Sequence, residues 1–169
     1  GLGKNTRVVR QGAFRFFTDI KSGNQKFKQM MKASHAVYQA YKKQMVAYDL
    51  SYPAAGLDVV IYTHEKDYVK ATNSEGTAGL YVPSQGACFF YMSGSGEDFP
   101  TLLHELTHQF NDKVALFGEV ATCAEEGIAE YFGYGKLTKG YSKVTLGGVN
   151  AGYKRQLEEH FLKRGGDFK

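Results

Sequence analysis

Phe99-Pro100-Thr101-Leu102-Leu103-His104-Glu105-Leu106-Thr107-His108-Gln109-Phe110 is the stretch on which the reading of this 169-residue chain turns. It has the composition of one amphipathic helix and carries the pattern His-Glu-x-x-His. Two histidines four apart leave the same face of a helix, so both imidazoles can reach one metal ion. Zinc suits imidazole nitrogen, and a catalytic zinc takes three protein ligands with a fourth position left to water. Glu105 lies about 100° further round the helix. It stands beside such an ion rather than on it, where a base can take a proton from the activated water. Asp98 is the expected N-cap, with Phe99 and Pro100 in the first turn, where a missing N–H costs nothing. Leu102, Leu103, Leu106 and Phe110 are expected to supply apolar contacts around the metal-facing side.

A third ligand is sought downstream. A His-x-x-Gly-x-x-His extension would need Gly at 111 and His at 114, but these positions are Asn111 and Val114. That arrangement is excluded. The other common solution is a glutamate from the next helix, and Ala121-Thr122-Cys123-Ala124-Glu125-Glu126-Gly127-Ile128-Ala129-Glu130-Tyr131-Phe132 offers three acids on a helical segment. Glu126 and Glu130 are four apart and share a face. One carboxylate can go to the metal while the other accepts the N–H of a ligating histidine and sets its tautomer.

The pair His104-Glu105-Leu106-Thr107-His108 and Glu125-Glu126-Gly127-Ile128-Ala129-Glu130-Tyr131-Phe132 resembles the gluzincin zinc metallopeptidases, with a spacing similar to that of the aminopeptidase N group. The resemblance implies a zincin-like fold and Zn2+ held by His104, His108 and Glu126. It implies Glu105 as general base and Glu130 as the acid one turn on that supports a ligand. Glu125 stands where that group has Asn, a departure that bears on whether an amine-binding, exopeptidase-type site exists. The resemblance also implies an oxyanion donor placed after the third ligand. Tyr131, Tyr134, Tyr141, Tyr153 and His160 qualify by order, and Tyr153 is preferred because it opens the helix after the second motif. The implied reaction is hydrolysis of a peptide or protein substrate. The alternative is a metal- or peptide-binding module on the same fold that does not cleave peptides.

The rest of the chain sets the frame. With 43% hydrophobic residues it can bury one substantial core, so residues 1–169 are read as one catalytic domain, with truncation at either end left open. The expected class is α+β: a small mixed sheet packed on a long helix, with the His-Glu-x-x-His helix and a ligand helix following. Twenty-one basic against 17 acidic residues give a mild +4, and these charges are dispersed, which argues against a nucleic-acid partner. There is no membrane-length apolar run and no signal-peptide pattern, and the chain starts Gly1-Leu2-Gly3. The compartment and the oligomeric state stay open, the resemblance leaning toward an extracytoplasmic or secreted setting. Cys88 and Cys123 make neither a disulfide framework nor a metal knuckle; both are read as small packing residues, with a single bridge left open.

Within 8–20, Phe14-Arg15-Phe16-Phe17-Thr18-Asp19-Ile20 reads as a strand. Ser22 or Asn24 can cap a long helix to about Tyr48, on which Phe27, Met31, Ser34, Tyr38, Tyr41, Met45 and Tyr48 form a packing stripe. Lys26, Lys28, Lys32, Lys42 and Lys43 read as its solvated face. Leu57-Asp58-Val59-Val60-Ile61-Tyr62-Thr63 is a strand, and His64 starts a short helix through Val69. Residues 78–82 and 87–92 are strands joined by Pro83-Ser84-Gln85-Gly86; the resemblance makes 87–92 the candidate sheet edge that meets an extended substrate, and the other reading is an internal strand with no substrate contact. Gly133 and Gly135 close the second motif helix, 136–148 is a loop or hairpin, and Asn150 caps a last helix carrying Tyr153, Leu157 and Phe161.

Overall fold

The computed structural model describes residues 6–46, 50–114 and 122–164; the side chains of Tyr153, Leu157 and His160 and of 161–164 fall outside that description. The chain is α+β, with five strands in one mixed sheet. β1 (Arg7–Gln11) and β2 (Phe14–Thr18) form an antiparallel hairpin. Gly12, at φ 57°, supplies the positive dihedral that its two-residue turn requires. The apolar run that reads as one strand to Ile20 leaves the ladder at Thr18, because the Thr18 hydroxyl accepts from the Ile20 N–H at 3.1 Å. Asp19 then turns to the far end of the next strand, accepting from the Thr63 N–H at 2.9 Å.

Helix α1 (Gln25–Gln44) uses Asn24, whose Oδ1 accepts from the Phe27 N–H at 2.9 Å. Phe27, Ser34, Tyr38, Tyr41 and Met45 are buried, Met31 is half-buried, and Tyr48 lies outside the described residues. The buried arc is wider than the expected stripe and includes Met30, Ala33 and Val37, because α1 packs both on the sheet and against a second helix. Lys26 departs from the expected solvated face: its ammonium pairs with the buried Asp98.

β3 (Leu57–Tyr62) runs parallel to β2 at the centre of the sheet, and α2 (Glu65–Thr72) follows with His64 as its exposed N-cap. β4 (Gly79–Val82) and β5 (Ala87–Tyr91) are antiparallel, joined by a 3-10 turn over Pro83–Gln85. The strand order is β1-β2-β3-β5-β4. Of the two readings of 87–92 the sheet edge is overturned and the internal strand holds: β5 lies inside the sheet, parallel to β3, and β4 is the edge. The physical reason is burial. Ala87, Cys88, Phe89 and Phe90 are buried on both faces, as an internal strand must be, while β4 alternates buried and half-buried positions.

One face of the sheet, with Phe14, Phe16, Leu57, Val59, Ile61, Cys88 and Phe90, forms the main core with α1 and α3 (Asp98–Lys113). The other face, with Val60, Tyr62 and Phe89, is packed by Tyr68 of α2. α4 (Thr122–Gly133) packs on α3, and a short hairpin of β6 (Lys136–Leu137) and β7 (Val144–Thr145) leads to α5 (Ala151–Arg164). The Asn150 carbonyl and side chain receive the first N–H groups of α5, as a cap should. No helix among the described residues is long and apolar enough to cross a membrane.

Candidate metal centre

Burial dictates how α3 sits. Leu102, Leu103, Leu106 and Phe110 are at most 1% exposed and enter the core, where the Phe110 ring meets Phe14, Tyr38 and Tyr41. They therefore do not surround the metal-facing side as expected; they hold the opposite side of the helix. Gln109 adds a polar clamp, donating through Nε2 to the carbonyls of Asp58 at 2.9 Å and Gly86 at 3.0 Å. With that face tied to the sheet, the 3.6-residue period sends His104 and His108 outward toward α4. At the start of the helix Glu97, not Asp98, occupies the N-cap position. Asp98 is instead a buried carboxylate that accepts from Ser93 Oγ and the Gly94 N–H and binds Lys26, so it joins the starts of α1 and α3.

His104, His108 and Glu126 converge. The two Nε2 atoms lie 3.1 Å apart, and Glu126 places Oε2 3.3 Å from His104 Nε2 and Oε1 3.5 Å from His108 Nε2. Donors about 2.0–2.1 Å from a tetrahedral zinc stand about 3.3–3.4 Å from one another. Each imidazole has a Glu126 oxygen near that spacing, Oε2 for His104 and Oε1 for His108, and one donor atom from each of the three residues lies within 4.8 Å of the others, so all three can gather on one ion. Two neutral imidazoles and one carboxylate are also the donor chemistry that zinc accepts, and the residues fit the ion.

Close helix packing makes the convergence possible. A Cβ on Gly133 would lie 3.1 Å from His104 Cβ, so the end of α4 approaches α3 as only glycine allows without displacement. Glu130, one turn before Gly133 and on the same side as Glu126, places Oε1 3.4 Å from His104 Nδ1, and its Oε2 accepts from Asn150 Nδ2 at 3.3 Å. That contact favours the His104 tautomer with its proton on Nδ1, leaving the Nε2 lone pair for a metal.

Glu105 sits between α3 and the edge strand. Its Oε2 accepts from the Tyr81 N–H at 2.8 Å. Burial pushes its carboxyl above the ordinary range; the Tyr81 N–H and His108 pull it back, and Glu126 adds to the rise. Gly79 lets β4 come this near, since a Cβ there would lie 2.7 Å from Thr101 Cγ2 and 2.6 Å from the Phe90 ring.

A cavity of about 610 Å³ opens beside the three donors, lined also by Leu80, Tyr81, Pro83, Asn111, Asp112 and Glu125. Sequence reasoning assigns no site role to Tyr81, Asn111 or Asp112. Asp112 continues the four-residue spacing of His104 and His108, so helical periodicity could have found it. Tyr81 carries no such signal, because only the strand order brings it here.

The remaining candidates separate. His64 is exposed at the α2 cap and takes no part in the cluster. Tyr141 stacks on Phe99 at 4.8 Å, and Tyr131 is 40% exposed. Tyr153 belongs to α5, but its side chain lies outside the described residues, as does that of His160. Cys88 and Cys123 are both free. Cys88 is buried and donates to the Glu105 carbonyl, whereas Cys123 is exposed, contrary to its reading as a packing residue.

No protein-family model matches the chain, and no curated protein sequence matches it.

Proposed function

We propose that this chain is a zinc-dependent metallopeptidase with a zincin-like fold, in which His104, His108 and Glu126 hold Zn2+ and Glu105 is the general base. The observation that carries the reading is the convergence of His104, His108 and Glu126, one donor atom from each within 4.8 Å of the others, with the half-buried Glu105 carboxylate next to them. Bound there, zinc supplies Lewis-acid polarisation of the scissile carbonyl and a lowered pKa for its water.

The chain's own residues do the rest. The Glu105 Oε2 is taken by the Tyr81 N–H, so Oε1 is the oxygen that accepts a proton from the attacking water and returns it to the leaving amine nitrogen. Glu130 holds the His104 ring in orientation. β4 contributes the substrate ledge. Its inner side pairs with β5, as the Tyr91 N–H to Ala78 carbonyl bond marks. Gly79 and Tyr81 therefore turn their carbonyls outward, where an extended peptide can add as a further strand.

The test is elemental analysis of purified protein supplied with zinc, together with a peptide-cleavage screen on wild type and Glu105→Gln. About one zinc per chain is expected in both proteins. Turnover is expected to fall about 10²–10⁴-fold in Glu105→Gln. Absence of bound zinc, or a Glu105→Gln protein of full activity, defeats the reading.

A further inference from the structure

We propose that the face of the sheet opposite α1 and α3 carries a second site, which binds a free, elongated amphiphile: an apolar body on the sheet, an anionic head at Lys70 and Gln85, and a neutral hydrogen-bond acceptor at Tyr62. The site is separate from the metal centre and independent of the peptidase reading.

The apolar body follows from how this face is covered. β2, β3 and β5 are parallel, and parallel strands are normally covered on both faces. α1 and α3 cover the first face, whereas on the second the packing among the described residues comes from α2, a helix of 8 residues. What α2 leaves open is a cavity of about 420 Å³, floored by Phe17, Val60, Ala87 and Phe89. Phe17, Val60 and Phe89 form one cross-strand row, and Ala87 stands in the next row beside Asp58. An apolar floor with a few polar groups at its margin, in a cavity of this size, is the usual form of a small-molecule site.

Tyr62 points to a ligand. It is 7% exposed and lines the cavity, and its hydroxyl has no hydrogen-bond partner among the described residues. Unlike the Tyr52 hydroxyl, it is not sealed off, so a ligand atom can reach it. A largely buried donor without a partner is uncommon in proteins. Burial, with Asp67 and Asp19 nearby, raises the phenol above its usual range. It therefore stays protonated and donates, and the same two carboxylates disfavour an anion at this end.

The head group belongs at the other end. Gln85 precedes Ala87, the partner of Asp58, and Lys70 is in the last turn of α2, whose first turn sets Glu65 beside the Tyr91 phenol, next to Tyr62. Asp58 and Tyr62 are four residues apart on one strand, a span of about 13 Å at about 3.3 Å per residue. Among the described lining residues Asp58 is the one acid, and both its oxygens are taken by Arg15 at 2.6 Å. Lys70 is the one cation, and it forms no ion pair among the described residues. An unpaired ammonium is ordinary on an open surface. At the mouth of an apolar cavity whose acid is already neutralised, it sets the sign of the head group.

The test is calorimetric titration of the whole chain with decanoate, decylammonium and ω-hydroxydecanoate, each below its micelle concentration, with amide shifts read by NMR. Decanoate is expected to bind about tenfold tighter than decylammonium, and each methylene removed from it to weaken binding about fourfold. ω-Hydroxydecanoate is expected to bind about fivefold tighter than decanoate, an advantage lost in Tyr62→Phe. Lys70→Met should weaken decanoate about tenfold and abolish the preference for an anion. Lys70 is exposed and the Tyr62 hydroxyl is unpaired, so both variants are expected to keep the wild-type amide spectrum outside the cavity. Shifts centred on Val60, Lys70 and Ala87 support the site. Absence of saturable binding, equal affinity for decanoate and decylammonium, shifts centred on His104 and His108, binding only to anionic phospholipid vesicles, or unchanged affinities in the two variants overturns the proposal.

Discussion

α3 and α4 supply the donors of one site, yet they are held in different ways. α3 buries eight residues, from Asp98 to Asn111, and is clamped to the sheet by Gln109. Its two histidine side chains keep only 18% and 17% of their exposure. α4 buries Ala129, Phe132 and Gly133 among the described residues, and the Glu126 side chain is 52% exposed. The imidazoles are positioned by the hydrophobic core, whereas the carboxylate is positioned by the end of a helix that touches the core at one stripe. A metal held by the proposed donors would therefore complete the second helix more than the first, since its binding energy becomes ordering energy where packing supplies least.

That contrast can be broken from either side. Leu106→Ala empties a fully buried position in α3 and is expected to lower unfolding stability by about 2–5 kcal/mol in chemical denaturation, with or without zinc. Glu126→Ala should leave the metal-free protein as stable as wild type and weaken zinc at least about a hundredfold, by competition with a chelator. A large loss of metal-free stability in Glu126→Ala would show that α4 is bound to the core as firmly as α3.

Alkaline pH should attack the α3 side. Burial raises the Tyr38 phenol to about 12, and the Tyr41 phenol rises for the same reason. The unfolded phenols titrate near 10, so between about pH 10 and 12 the unfolded chain binds fewer protons than the folded one. Stability present below about pH 10 is lost as pH rises, with a limiting slope of about 1.4 kcal/mol per pH unit for each phenol. Denaturant midpoints across that window, compared for wild type and Tyr38→Phe, measure it. The smallest effect is expected from Glu130→Gln, which removes the charge facing His104 Nδ1 and should weaken zinc about 10–100-fold without changing its stoichiometry.

What is legible in the sequence is local. Asn24 as a cap, the two motif helices, the strand 57–62 and the helix after Asn150 all follow from spacing and side-chain type within a few residues. The departures are of another kind. The sheet edge is β4 rather than β5, Lys26 pairs with a buried acid instead of facing solvent, and the α3 leucines hold the side of their helix away from His104 and His108. Each depends on which distant element covers which face. A continuous apolar run such as Ala87-Cys88-Phe89-Phe90 does signal an internal strand, and it outweighs proximity to the motif helix.

By itself the sequence determined that His104 and His108 share a helical face, that Glu105 stands beside them, and that Glu126 and Glu130 face one way on the next helix. Helical periodicity is a short-range property, so residue spacing suffices. Only the tertiary structure decided that Glu126 comes within 3.5 Å of both imidazoles and that Tyr81 holds both Glu105 and Asp112. Those outcomes depend on strand order and on helices meeting at Gly79 and Gly133. They are set by burial between elements far apart in the chain, which no local pattern encodes.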